Sequence, residues 1–292
     1  MTRDKRVQFD FDIAFSNGGG LTGRAFRLDI DDDDIDDAAL AAYIVQDLRL
    51  LMVGEVRISN KSILREAHKR TATSARFVDL SHTIEHGMIT YKGLPAPLIC
   101  DHLSREKSKT VYAPGTEFQI GRIDMVANTG TYIDSPFHRY ADGADVADFD
   151  LDAIGLVDAL VVRVAGATSR AISHRAFDGL DVRGKAVLVH TGWDRHWRTD
   201  QYFENHPFLT ADAAALLRDA GARLVGIDSF NIDDTADLER SVHTTLLGAG
   251  IPIVEHLCEL QNVPASGLRF SAVPPKVRGM GTFPVRAFAL CD

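Results

Sequence analysis

Apolar and polar residues alternate strictly in "VQFDFDIAF", which puts Val7, Phe9, Phe11, Ile13 and Phe15 on one face and predicts a half-buried strand. "SNGGG" follows as a turn and "LTGRAFRLDI" as a second strand, so the chain is expected to open on a β-hairpin. The aspartate run in "LDIDDDDIDD" offers an N-cap and negative charge at the start of a helix predicted over "IDDAALAAYIVQDLRLLMV". The short segment "EVRISN" and a basic, helix-like "KSILREAHKR" complete a small α+β unit over residues 1–70, with "TATSAR" (71–76) as linker.

From Phe77 the texture changes. "LVDALVVRV", "KAVLVHTGW" and "ARLVGIDSF" are short, nearly continuous apolar runs, the signature of strands covered on both faces. "TADAAALLRDAG" between two of them predicts an amphipathic helix capped by Thr210 and stopped by Gly221. A further helical stretch leads into "GIPIVEHLCEL", and "FPVRAFAL" reads as one closing strand. The fold class expected for residues 77–292 is α/β with more strands than helices.

Composition narrows the function. At 292 residues and 45% hydrophobic, the chain can build a substantial core. It has no apolar run of about 18 residues and a charged start, "MTRDKRVQFDFD", so a soluble, cytoplasmic protein without membrane partners is expected. The net charge of −9 argues against nucleic-acid binding, although seven aspartates of the run at 29–37 carry most of it. That run has no glycine where a calcium loop needs one and reads as a solvated helix start. Cys100, Cys258 and Cys291 lack metal or redox spacing and read as free thiols.

Candidate chemistry centres on "NTGTYIDSPFH" (128–138). Continued as a strand, it would place Tyr132, Asp134, Pro136 and His138 on one face, a carboxylate beside an imidazole, suited to a divalent metal or to general acid–base work. "DSFNIDD" (228–234) ends an apolar strand in acids, a usual position for ligand sites in α/β sheets. Glu255, among Ile251, Ile253, Val254 and Leu257, would be costly to bury without a cation or donors, and His243 precedes it by twelve positions.

With "FVDLSHTIEHGMITYKGLPAP", "VLVHTGWD", "LVGIDSFNIDD", "HTTLLGAGIPIVEHLCEL" and "GTFPVRAFAL" in order, residues 77–292 resemble the cyclase superfamily, which includes bacterial kynurenine formamidases and isatin hydrolases. The resemblance implies a swivelling β/β/α domain, assembled as a homodimer or homotetramer, that hydrolyses amide, imide or lactone bonds with metal. The family motif HxGTHxDxPxH falls on residues 128–138 with Asn128 and Tyr132 in place of its first two histidines. The motif's carboxylate and last imidazole fall on Asp134 and His138, and the later ligands on His243 and Glu255.

Three readings follow. A mononuclear hydrolase would hold one zinc or manganese ion on Asp134, His243 and Glu255, with His138 moving protons. A metal-free enzyme would use Tyr132 as oxyanion donor, supported by Asn128, with His138 as base. A catalytically inactive ligand-binding or scaffold protein on the same fold is the third. The expected substrate is small and aromatic, with Trp193, Tyr91 and Phe137 as candidate pocket walls.

Overall fold

The computed structural model describes residues 5–30, 32, 34–65 and 75–291. The chain divides into two compact units, Met1–Thr73 and Ser74–Asp292.

The first unit contains β1 (Lys5–Phe15), β2 (Gly20–Ile30), α1 (Asp37–Asp47) and β3 (Val53–Arg65), with sheet order β2-β1-β3 and both pairings antiparallel. The alternation read in the sequence sets the packing. Val7, Phe9, Phe11 and Ile13 of the central strand are buried together with Leu40 and Ile44 of α1. Asp36 caps the helix by accepting from Ala39 N at 2.7 Å. Two expectations are corrected. The helix stops at Asp47, where Arg49 (φ 51°) and Met52 (φ 60°) adopt left-handed backbone and turn the chain into β3. "KSILR" is strand, because pairing of residues 62–65 along β1 outweighs its local helix-like spacing. Residues 66–70 of that basic segment and 71–74 of the expected linker lie outside the described residues.

The second unit runs through β4 (Arg76–Asp79), β5 (Leu98–Leu103), α2 (Arg105–Ser108), β6 (Ile120–Asp124), β7 (Tyr132–Asp134), α3 (Leu151–Ile154), β8 (Val157–Arg163) and β9 (Ala171–Ile172). It continues with β10 (Ala186–His190), β11 (Phe208–Leu209), α4 (Ala211–Asp219), β12 (Leu224–Ile227), α5 (Ser241–Gly248), β13 (Ile253–Glu255), β14 (Leu268–Ser271), β15 (Thr282–Pro284) and β16 (Phe288–Cys291). Nine strands form one sheet in the order β15-β7-β13-β12-β10-β8-β14-β16-β4. Its centre, β13-β12-β10-β8, is parallel, and antiparallel strands flank it on both sides. Along β10, Ala186 and Leu188 enter one core, whereas Val187 and Val189 enter the other beneath α4 and α5. Continuous apolar runs are therefore what these strands require.

The closing segment differs from expectation. "FPVRAFAL" is divided between two strands, since Pro284 ends β15 beside β7 while β16 pairs with β14 and β4. β15 and β16 are seven positions apart in the sheet order. On a flat sheet that is roughly 34 Å at about 4.8 Å per strand, yet the link from Pro284 to Phe288 spans at most about 14 Å. The sheet must curl, and Ile133, Val254, Phe270 and Ala287 fill the core within the curl.

Candidate active site

Sheet register brings the polar residues together. β7 pairs Tyr132 with Glu255 of β13 on one side and Asp134 with Thr282 of β15 on the other. Directly opposed side chains touch, so Tyr132 Oη donates to Glu255 Oε2 at 2.6 Å, and Thr282 Oγ1 donates to Asp134 Oδ1 at 2.5 Å. Gly130 (φ 67°) supplies the left-handed turn that leads the chain into β7.

β7 is only three residues long, which corrects the expected single face from 132 to 138. A 3₁₀ turn over Pro136–His138 follows it, and this turn carries His138. The turn presents His138 Nδ1 to Thr282 Oγ1 at 2.9 Å. Because that hydroxyl gives its single proton to Asp134, it accepts from His138 Nδ1–H, which leaves Nε2 as the nitrogen with the free lone pair. Gly281 seats the turn. A β-carbon there would stand 2.6 Å from both N and Cα of His138, backbone atoms that cannot rotate away. Gly281→Ala is expected to cost about 1–3 kcal/mol in urea unfolding and to displace His138, with metal retention falling more than stability alone explains.

His243 stands in the first turn of α5. Its Nδ1 donates to Asp233 Oδ2 at 2.5 Å, and Asp233 also accepts from Val242 N at 2.7 Å and His243 N at 3.2 Å. One carboxylate thus satisfies orphan donors at the helix start and fixes the imidazole tautomer. His243 Nε2 then faces Asp134 Oδ2 at 3.6 Å and Glu255 Oε1 at 3.9 Å. Burial opposes protonation of His243, but Asp134, Asp233 and Glu255 outweigh it and push its pKa up to about 10. Burial raises Glu255 to about 7, against the pull of His243. Three carboxylates around one imidazole make a setting in which a cation is stabilising.

Asp134 is fully buried, and its Oδ2 has no hydrogen-bond partner. Ligand atoms of Asp134, His138 and His243 lie within 4.8 Å of one another. An orphaned carboxylate oxygen beside imidazole nitrogens fits a divalent metal ion. The cluster differs from the expected ligand set, because His138 joins it and Glu255 does not. Each oxygen of Glu255 accepts a hydrogen bond, Oε1 from Ile232 N at 2.7 Å and Oε2 from Tyr132, and Oε1 keeps a lone pair toward the cavity.

The same bond corrects the role assigned to Tyr132. Its proton is committed to Glu255, with Tyr91 Oη at 3.1 Å, so it is not a free oxyanion donor. Burial, then the Glu255 charge, hold the Tyr132 pKa well above the ordinary phenol value. Tyr132→Phe would leave Oε2 with only Tyr91 and Asn231, each at 3.5 Å. An expected loss of about 1–3 kcal/mol follows from the stranded carboxylate oxygen, read by urea unfolding.

Tyr91, Asn128, Tyr132, His138, His243 and Glu255 line one cavity of about 300 Å³. Trp193 and Phe137, expected as walls, lie outside its lining. Trp193 Nε1 donates to Tyr202 O at 3.0 Å, and Phe137 N bonds Ala144 O at 3.0 Å. Leu94, Asn231, Arg139 and Arg240 line the cavity without having been singled out from the sequence. Asn231 and Asp233 fall inside the quoted "DSFNIDD", whose acids separate in the fold. Asp228 instead accepts from Thr191 N at 2.7 Å and Gly192 N at 2.9 Å, tying down the end of β10.

The curled mixed sheet, with polar groups at the carboxyl ends of β12 and β13, defines a fold of the cyclase-type hydrolases. A family model described as putative cyclase matches residues 78–234, and the chain belongs to that family. A kynurenine formamidase of Bacillus cereus (strain ATCC 14579) is 28% identical over 216 residues, 73% of this chain and 97% of that protein. A solved potential metal-dependent hydrolase with cyclase activity shares 27% identity at a TM-score of 0.62, over 75% of this chain and 99% of that one. Isatin hydrolase A from Labrenzia aggregata, at 20% identity and a TM-score of 0.63 over 74% and 94% of the two chains, shares the fold. Among the described residues no helix is long and apolar enough to cross a membrane.

Proposed function

We propose that this protein hydrolyses an amide bond of a small substrate, an aryl formamide in the first instance, using one divalent ion held by Asp134, His138 and His243. The partnerless, buried Asp134 Oδ2, 3.6 Å from His243 Nε2, carries this reading. Similarity to a kynurenine formamidase across 97% of its length supports the bond type. A zinc or manganese ion in such a site polarises a carbonyl and makes bound water more acidic.

The chain's own residues do the rest. Asp233 and Thr282 hold His243 and His138 in the tautomers that turn Nε2 outward. Glu255 Oε1 borders the cavity with one backbone donor, Ile232 N, and is placed to accept a proton from the attacking water and return it to the leaving nitrogen. Tyr132, Tyr91 and Asn231 brace its other oxygen. At about 300 Å³ the cavity stands at the lower end of the range for small-molecule sites and suits a single-ring substrate.

The test is metal analysis of untagged protein alongside turnover of N-formyl anilines, cyclic imides and aryl lactones. About one equivalent of zinc or manganese and formamide cleavage that stops on chelation are expected. Cleavage retained with less than about a tenth of an equivalent would point to the metal-free reading. No cleavage of any of the three classes would point to the binding or scaffold reading.

A further inference from the structure

Two arginines at the cavity have no counterpart in the hydrolytic scheme. Arg240 is half-buried and Arg139 exposed, and both line the cavity that His138 and His243 also line. Each is tied to the cluster by the chain itself: Arg139 follows His138, and Arg240 precedes His243 by three residues. Arg240 adopts left-handed backbone (φ 51°), a conformation that costs a non-glycine residue energy and persists only where its surroundings impose it.

Neither guanidinium has a carboxylate partner among the described residues. Arg240 Nη1 donates to Asn231 Oδ1 at 3.0 Å, which leaves further N–H groups of the fork uncommitted. Arg139 Nε donates to Thr244 Oγ1 at 3.3 Å, and its guanidinium lies 5.3 Å from the Tyr140 ring centroid. Some other arginines are ion-paired, as in Arg198–Glu85, Arg278–Asp148 and Arg286–Asp79, and Arg163 is satisfied by the Leu260 and Val263 carbonyls. Arg240 also has Asp234, Asp237 and Glu239 close by in sequence, yet lines the cavity and bonds Asn231. Two planar cations without acidic partners suit bidentate recognition of an anion brought by the ligand. Asp134, Asp233 and Glu255 in the same region disfavour a multiply charged anion and favour a single carboxylate.

We infer that Arg240 and Arg139 select carboxylate-bearing substrates, gripping the carboxylate while the amide lies at Asp134, His138 and His243. The placement of the amide rests on the hydrolase reading above; the anion site does not.

The experiment has a binding arm and a turnover arm, both on the full chain with its metal. Calorimetry with benzoate and benzamide, neither of which can be cleaved as a formamide, is expected to give at least about tenfold tighter binding of the acid. That preference should shrink about tenfold or more in Arg240→Gln and in Arg139→Gln, and be partly kept in Arg240→Lys, which retains charge without the fork. Turnover of 2-formamidobenzoate and 2-formamidobenzamide should show the same ratio, and the same collapse, in kcat/KM. A benzoate preference that persists in both glutamine variants would mean that the acid binds elsewhere, on the metal for instance, and overturns the assignment. Equal binding of acid and amide by the unmodified protein overturns it as well. Arginine-dependent benzoate binding without cleavage of either formamide would remove the hydrolase reading and leave the anion site standing. Cleavage of both formamides with no acid preference would do the reverse.

Discussion

Asp134→Asn is expected to abolish metal retention while costing the metal-free protein much less stability than the loaded one. Both effects follow from one atom. Asp134 is fully buried, one oxygen is satisfied by Thr282, and the other has no partner except whatever sits between it and His243. In the absence of metal this desolvated charge is offset by the protonated His243, 3.6 Å away, so a neutral amide removes a burial cost and an ion pair together. With a cation it is the anionic anchor of the cluster, and an amide oxygen is a much weaker ligand. Bound metal should fall from about one equivalent to below about a tenth after dialysis, and turnover by about a thousandfold or more. The stabilisation that metal gives the unmodified protein, about 2.7 kcal/mol at a hundredfold excess over Kd, should disappear in the variant. A variant that keeps a full equivalent would mean that the ion, if any, sits elsewhere.

The second large effect concerns Asn128 and Tyr132, the positions at which the sequence resemblance leads one to expect imidazoles. Asn128→His combined with Tyr132→His is expected to raise the metal content from about one ion per chain to about two. Asn128 and Tyr132 line the same cavity as the Asp134 cluster, and Tyr132 covers Glu255 Oε2 with a hydrogen bond of 2.6 Å. A buried phenol with its pKa held well above the usual value keeps its proton and ligates poorly. Neutral imidazole at that position offers a lone pair and releases the carboxylate oxygen beside it. Metal analysis and calorimetric titration of the double variant decide the matter. If the content stays at one ion with the fold intact by circular dichroism, the two substitutions are not what limits the site to a single metal.

Much of the architecture was legible in the chain. The period-two alternation of Val7 to Ile13 identified the central strand of the first unit, and the apolar runs at 157–163, 186–190 and 224–227 identified the core of the large sheet. Side-chain alternation and double-sided burial are local consequences of strand geometry, so composition records them directly. Harder to read were segments whose state depends on distant partners. "KSILR" joins β1 through pairing across 54 to 60 residues of sequence, and "FPVRAFAL" is cut in two because the sheet curls and each half finds a different neighbour.

The site divides along the same line. Sequence alone determined the family resemblance, the amide and phenol at 128 and 132, and the set of polar groups from which a site could be made. Those are properties of residue identity and order. Tertiary structure decided which of these groups meet and what each one is free to do. It placed His138 beside Asp134 by ending β7 in a 3₁₀ turn, engaged both oxygens of Glu255, spent the proton of Tyr132 and left Trp193 outside the cavity. It also brought Asp233 and Thr282 to the two histidines through helix-end donors and strand register, and Arg139 and Arg240 to the cavity lining. Hydrogen bonds commit protons and lone pairs atom by atom, and that commitment is set by distances between segments far apart in the chain, which residue order does not carry.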